Sequence, residues 1–385
     1  MGLKKKKTLL VTILVILLLP MIQMCIPFVD HDGLYGYSYY APNVDFSWDK
    51  WFDGSYQNKK DSFYNDNMGL RPELVRVNNQ IEYSIYTKTP SSILGKNQCL
   101  FFDDYIYTYM GFDYMGYSTI HDQLSKLKAI QDTLGHLGKS LVIVHAPCKS
   151  YFYPEDIPDK FYKYGLGPTN FNTMVRLGDS LGLNQIDMNT WFVAMKKTSK
   201  ELLYTKAGTH WSMYGAWICG DSIVRYLEKL RKIKMLHPKL ARIERVINPR
   251  NTDDDILRMA NLLFPMTNEV YSYPIPCYPV DQGDSSIKKP SVIFIGDSFI
   301  VTLIQDNFIQ TEFQDWQYWY YFRLIANKDY AIESQHSPLN DGYWKDALNK
   351  TDVVVILYTA RTLKEKFNGF VDSAYNYYYP QQSAL

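Results

Sequence analysis

The chain lacks a CxxC pair and any His/Cys spacing of the zinc type, although it carries five cysteines: Cys25, Cys99, Cys148, Cys219 and Cys277. That absence excludes a sequence-encoded zinc site and a disulfide framework, and predicts buried free thiols in apolar surroundings for Cys99, Cys148 and Cys219. No metal and no cofactor is expected. The chain also lacks an excess of positive charge: 41 Lys+Arg face 40 Asp+Glu, for a formal +1. Lys4 to Lys7 form one cluster, and taking those four from +1 leaves −3 on the body. A nucleic-acid partner is excluded on that balance. There are no repeats and no low-complexity tracts. Hydrophobic residues at 46% and charged residues at 21% of 385 fit neither a disordered chain nor a many-pass membrane protein. What the chain has in abundance is aromatic residues, 16% of the total with 33 Tyr and 8 Trp. Their flat faces with a polar handle suit wet interfaces and sugar rings, or simply an aromatic-rich core.

One long apolar run is present, from Leu9 to about Val29, directly after the lysine cluster. Roughly 20 apolar residues match the hydrocarbon core of a bilayer, and flanking lysines stay cytoplasmic. A cleaved signal peptide competes with this reading. No small-x-small site follows the run, however, and Cys25 is preceded by Ile22-Gln23-Met24, without the small residue of a lipoprotein site. An uncleaved single-pass anchor in the inner, cytoplasmic membrane is expected, with the body extracytoplasmic (periplasmic). Either reading puts the body outside.

Residues 30–60 have no hydrophobic period and read as an extended aromatic lead-in. Leu70, Leu74, Val77, Ile81 and Ile85 recur at helical spacing within 61–90. Residues 92–102 read as two short strands turned at Gly95 to Asn97. From Ser118, the stripe Ile120, Leu124, Leu127, Ile130, Leu134 and Leu137 predicts an amphipathic helix, stopped by Gly135 and Gly138. Ser140–Ala146, Pro290–Gly296 and Asp352–Tyr358 are continuous apolar runs, as in strands buried on both faces. Helical stretches near 168–181 and 212–232 alternate with them. Alternation of this kind predicts an α/β fold with a mostly parallel sheet covered by helices. Residues 233–289 look irregular. The basic stretch from Arg231 to Arg250 is followed at once by Asp253 to Asp255, and reads as a solvated helical face.

Two segments carry chemistry. Phe294-Ile-Gly-Asp-Ser-Phe299 ends a buried strand and opens a helix. Gly296 permits a tight turn. Ser298 then projects at the carboxyl end of a strand, where open α/β sheets bind ligands, and the helix-start amides of Gly296, Asp297 and Ser298 are candidates for turn and oxyanion. In Leu203–Ala216, Ser212 caps a helix and His210 and Trp211 immediately precede it. The positive end of the helix dipole disfavours imidazolium, leaving His210 a neutral base able to accept a serine proton. A structural histidine bonded to a loop carbonyl remains the competing reading. His145, inside a strand, is expected in the core.

Gly296-Asp-Ser298 after a strand, with Thr209-His-Trp211 upstream, resembles the alginate O-acetyltransferase family of the AlgX and AlgJ type, permuted relatives of the SGNH esterases. Asn67–Arg71 with Asn78-Asn-Gln80, Leu94–Phe102, Ala146–Lys149 with Tyr153-Pro-Glu155, and Asp254–Ala260 agree in order, from about Trp48 to Lys364. The resemblance implies a three-layer α/β/α SGNH-hydrolase-like domain over 61–370, behind the lysine cluster and anchor (1–29) and the lead-in (30–60), with a Tyr-rich tail at 371–385. It implies acetyl transfer onto hydroxyls of an extracytoplasmic polysaccharide, with the acetyl donor supplied by a membrane-bound O-acyltransferase. Ser298 becomes the nucleophile and His210 the base, with Trp211, Lys149 and Arg361 as candidate substrate-binding residues.

The chain departs from the family twice. Where the family has Asp-Thr-His-Trp, this sequence reads Gly208-Thr-His-Trp211, and the usual Glu-Arg of the final strand is Ala360-Arg361. The acid that orients the histidine is missing from its place, and the corresponding loss in serine proteases lowers the rate by about 10⁴. Three outcomes are open: another acid approaches, Asp187 being the candidate; a carbonyl or water orients the ring; or the chemistry is lost and the protein is a polysaccharide-binding or assembly subunit. Asp297 adjoins the nucleophile and is expected to brace the turn.

Overall fold

The computed structural model describes residues 3–30, 32–37, 40–265, 267–277, 285–329 and 336–380. The chain divides into two compact units, one of residues 1–92 with 256–266, the other of residues 93–255 with 267–385. The expected boundaries at 61 and 370 do not coincide with these. The stretch 61–92 groups with the N-terminal unit, and residues 370–378 form a helix whose Phe370, Val371 and Ala374 enter the main core.

The first unit carries the helix Leu3–Cys25, which is long and apolar enough to cross a membrane. The lead-in is not wholly extended: Ser47 caps a short helix Trp48–Phe52, and helices Ser55–Asn67 and Arg71–Tyr86 follow.

The second unit is built on a six-stranded sheet. Its strands are β1 Ser140–Ala146, β2 Gln185–Asp187, β3 Val292–Gly296, β4 Trp316–Tyr320, β5 Leu324–Asn327 and β6 Val353–Thr359, arranged β2-β1-β6-β3-β4-β5. All neighbours are parallel except β4 and β5, so the mostly parallel sheet has one antiparallel edge. The three apolar runs are β1, β3 and β6, the central strands, buried along nearly their whole length. The aromatic run Trp316–Tyr320 has no two-residue alternation visible against its flanks, and it becomes a strand because it pairs with β3 from Val292↔Trp316 to Gly296↔Tyr320.

Helices Tyr117–His136, Asn170–Leu181 and Phe370–Tyr378 pack together on β1 and its neighbours, through the stripe Ile120, Leu124, Leu127, Ile130 and Leu134. Met213–Arg231, Phe299–Gln305 and Phe308–Glu312 form a second group against β3 and β6, completing the α/β/α sandwich. The basic stretch is not a helix. Lys239–Val246 is a largely exposed strand pairing antiparallel with Tyr271–Cys277, whose first four residues are buried, from Val246↔Tyr271 outward. A partner that far along the chain leaves no local period to read. Cys99, Cys148 and Cys219 are buried free thiols, and burial pushes Cys99 up to about 12 and Cys148 to about 11.

Strand β3 owes its place to Gly296. β3 and β6 run so close at Leu357↔Gly296 that a Cβ on Gly296 would overlap the Leu357 carbonyl oxygen. Gly296→Ala should therefore destabilise the protein by about 1–3 kcal/mol, the range for overpacking a tight site. Denaturant unfolding followed by circular dichroism measures this.

Candidate active site

The turn after β3 is held by a buried carboxylate. Asp297, 2% exposed, accepts from Phe299 N–H through Oδ1 (3.2 Å) and from Thr359 N–H, Thr359 Oγ1 and Thr362 Oγ1 through Oδ2 (2.8 Å each). It ties the turn that carries Ser298 to the end of β6, and its hydrogen-bond partners include neither Ser298 Oγ nor the histidine. Ser298 itself is in ordinary helical geometry (φ −63°, ψ −10°), partly exposed, and opens the helix Phe299–Gln305. Phe299 N–H is taken by Asp297 Oδ1 and Ile300 N–H by the Asp297 carbonyl (3.4 Å). The Ser298 amide thus becomes the turn's candidate oxyanion donor.

His210 comes to this serine from 88 residues away: its Nε2 lies 2.8 Å from Ser298 Oγ. Its Nδ1 lies 3.1 Å from Oδ2 of Asp255, whose Oδ1 accepts the Thr209 N–H at 2.6 Å. One carboxylate therefore fixes both the ring and the backbone that carries it. The imidazole is 7% exposed and rests on the Phe299 ring, with centroids 4.8 Å apart. With Nδ1–H donated to Asp255, Nε2 is left as the lone-pair nitrogen facing the hydroxyl.

Asp255 was not among the candidate acids. The sequence signal was there, in Asp253–Asp255 and in the stretch Asp254–Ala260, but nothing local ties that triplet to a histidine 45 positions earlier. Asp187, the candidate put forward, is a correction. Its Oδ1 accepts the Thr190 N–H (2.8 Å) and caps the helix Met188–Met195. It ends β2, three strand positions from β3, roughly 14 Å at the usual strand spacing.

Gly208 leaves room for the loop that carries this carboxylate. A Cβ at this position would sit 2.6 Å from the carbonyl oxygens of Thr252 and Asp253 and from Thr205 Oγ1. The loop that delivers Asp255 occupies the space in which a side chain at 208 would stand. The two features go together: a glycine at 208 lets the 252–255 loop close in, and that loop brings the acid.

The rest of the histidine loop is clamped by polar groups, all but Glu269 fully buried. Lys149, 0% exposed, donates from Nζ to the carbonyls of Lys206 (2.7 Å) and Gly208 (2.6 Å). Burial pushes its ammonium below the usual lysine range. Glu269 accepts the Lys206 N–H at 2.9 and 3.0 Å, and burial raises its carboxyl. Tyr105 and Tyr204 hydroxyls donate to the Thr209 carbonyl at 3.0 and 2.6 Å. Trp211 is 0% exposed and donates from Nε1 to Thr302 Oγ1 (2.6 Å), and Ser212 caps the following helix at Gly215 N–H (2.9 Å).

Two of the candidate substrate-binding residues are thereby corrected. Trp211 and Lys149 are sealed in the interior and position the loop, because each finds polar partners there. Arg361 differs: it is partly exposed, pairs with Asp104 Oδ2 (2.6 Å) and lies over the Phe102 and Tyr105 rings (5.5 and 5.3 Å). On the other side of the turn, Tyr321 N–H donates to the Gly296 carbonyl (2.8 Å), which brings the half-buried Tyr320 and Tyr321 beside the nucleophile strand. Among the described residues no group of three or more His, Cys, Asp and Glu could hold a metal ion.

Residues 93–308, more than half of the chain, match the family described as ALGX, SGNH hydrolase-like domain, acetyltransferase AlgX. Among solved structures, the O-acetyltransferase domain of Pseudomonas putida AlgJ is 17% identical, with 75% of this chain and 99% of that one covered and a TM-score of 0.47. Pseudomonas aeruginosa AlgX is 14% identical, over 73% of this chain and 67% of that one, with a TM-score of 0.44. Bacillus cereus PatB1 is 12% identical, over 66% and 93%, with a TM-score of 0.40. No curated protein sequence matches the chain.

Two substitutions test this geometry. Asp255→Asn should lower the turnover of an activated acetyl ester by up to about 10⁴, through the wrong histidine tautomer, with Asp187→Asn close to wild type. Gly208→Asp, which restores the family's acid in sequence, should lower both stability and rate, because its side chain meets the 252–253 carbonyls. A thermal melt alongside the ester assay reads both, and a faster Gly208→Asp enzyme would contradict the relocation of the acid.

Proposed function

We propose that this chain, which belongs to the SGNH hydrolase-like family of the acetyltransferase AlgX, moves acetyl groups onto hydroxyls of an extracytoplasmic polysaccharide through an acyl-serine on Ser298. The observation that carries this reading is the continuous line Ser298 Oγ–His210 Nε2 at 2.8 Å and His210 Nδ1–Asp255 Oδ2 at 3.1 Å.

In the first half-reaction, Ser298 Oγ attacks the acetyl carbonyl of the donor while His210 Nε2 takes the hydroxyl proton. Asp255 stabilises the resulting imidazolium and holds the ring in register. The tetrahedral oxyanion faces the Ser298 amide. Its collapse expels the donor's leaving group, which takes the proton from His210 and leaves acetyl-serine. In the second half, a sugar hydroxyl gives its proton to His210 Nε2 and attacks the acetyl carbon, and the proton returns to Ser298 as the ester departs. Water in place of the sugar would make the same site a deacetylase, so the outcome rests on the acceptor outcompeting water.

Tyr320, Tyr321 and Arg361 are the residues we assign to the acceptor. Tyrosine rings stack on sugar faces, and the guanidinium is already neutralised by Asp104. The helix Leu3–Cys25 supports an uncleaved anchor that keeps the domain beside a membrane-bound O-acyltransferase supplying acetyl. The missing acid at 208 motivates a binding-only role as the alternative, and the Asp255 carboxylate at the ring supports the catalytic reading over it.

The purified full-length protein, given 4-nitrophenyl acetate, should accumulate an acetylated form by intact-mass spectrometry, mapped to Ser298. Ser298→Ala should abolish it, with a loss in ester turnover on the order of 10³ or more. If Ser298→Ala turns over the ester as fast as wild type, the catalytic reading fails.

A further inference from the structure

The helix Arg71–Tyr86 is inside out for a helix in water. Soluble helices bury an apolar stripe and expose a polar one. Here the inward face is polar. Asn79 Nδ2 donates to the Ala260 carbonyl (2.9 Å), and Arg76 Nη2 donates to the carbonyls of Asp32 (2.9 Å) and Gly33 (2.7 Å). The periodic aliphatic stripe is what faces out: Leu74 is 49% exposed, Val77 41%, Ile81 45% and Ile85 68%. All these groups belong to the unit of residues 1–92 and 256–266.

The same unit fixes where this helix starts. Gly69 packs on the last turns of Leu3–Cys25 so closely that an added Cβ would overlap the Pro20 carbonyl oxygen and come 2.6 Å from Met24 N. Only glycine permits this contact. Pro20 to Met24 lie in the last two turns of the candidate span Lys4–Cys25, at its extracytoplasmic end. The helix Arg71–Tyr86 therefore begins at the exit of the candidate span, two residues after the contact at Gly69.

We propose that this helix is an interfacial one, with the stripe Leu74, Val77, Ile81 and Ile85 lying in the extracytoplasmic leaflet of the bilayer that Leu3–Cys25 crosses. The stripe is purely aliphatic. Protein-interface hot spots favour Trp, Tyr and Arg, whereas aliphatic stripes flanked by polar residues suit the boundary of headgroups and acyl chains. Asn78 and Ser84, both exposed, flank it, and Tyr86, 59% exposed, closes its end with a ring suited to headgroup level. The unit is then held at two places, by the span and by the stripe. This reading rests on the span being embedded and not on acetyl transfer.

Site-directed spin labelling of the full-length protein in vesicles of phosphatidylethanolamine and phosphatidylglycerol tests it. With Cys25→Ser and Cys277→Ser removing the exposed thiols, Ile81→Cys, Leu14→Cys and Gln310→Cys are labelled singly. Cys99, Cys148 and Cys219 stay buried. The ratio of oxygen to nickel-chelate collisions at 81 is expected to match the span control at 14, not the aqueous control at 310. A ratio at 81 like that at 310, with 14 oxygen-rich, overturns the proposal. Exclusion of both probes at 81 also overturns it, in favour of a protein covering the stripe. A nickel-rich signal at 14 overturns the proposal together with the span.

Discussion

The contact between the backbone at Gly208 and the carbonyls of Thr252 and Asp253 is the constraint on which the Ser298–His210–Asp255 arrangement depends. A serine and a histidine at hydrogen-bond distance can exchange a proton, but without a fixed acceptor at Nδ1 the ring is free to present the wrong tautomer. In this chain the acceptor at Nδ1 is Asp255, from a loop 45 residues further along. The two loops can approach only where no side chain stands between them. Close packing converts one missing Cβ into a route for Asp255, because interiors at this density leave no slack for both.

Around that contact the protein accepts the penalty of burying charge in order to fix backbone. Lys149 holds two carbonyls of the histidine loop, and its lowered pKa reflects its burial. Hydrogen bonds to a charged group are worth about 1.5–3 kcal/mol each, comparable to what an uncompensated buried polar group loses. Asp297 plays the matching part on the serine side, with four donors converging on its carboxylate. Loop backbone that would otherwise fluctuate is thus tied to β6 on one side and to the segment after β1 on the other. Such support is what keeps a catalytic constellation within the few tenths of an ångström that proton transfer needs.

The N-terminal unit applies the same device to a different end. Gly69 gives up a side chain so that the chain can seat directly on the exit of the apolar helix, and the next helix starts from that fixed point. The sequence period of Leu74, Val77, Ile81 and Ile85 marks one face of a helix, and the structure turns that face outward. Period identifies which residues share a face and says nothing about what that face meets.

That distinction runs through the whole chain. Elements whose signal is local were legible before any coordinates: the central strands β1, β3 and β6 from continuous apolar runs, the helix Tyr117–His136 from its stripe, and the cap at Ser212. Ser298 and His210 were legible too, as a strand-to-helix turn and a pre-helical histidine, and the tertiary structure sets their side chains 2.8 Å apart. What had to wait for the fold depends on partners distant in sequence. The exposed strand Lys239–Val246 exists through its pairing with Tyr271–Cys277, and β4 through its register with β3. Trp211 and Lys149 look like surface ligands until their partners at Thr302 and at the 206 and 208 carbonyls are seen. Above all, the sequence could show that an acid was absent at 208, while only three-dimensional packing could decide that Asp255 takes its place, since the distance between a ring nitrogen and a carboxylate is fixed by how two loops pack and not by their order in the chain.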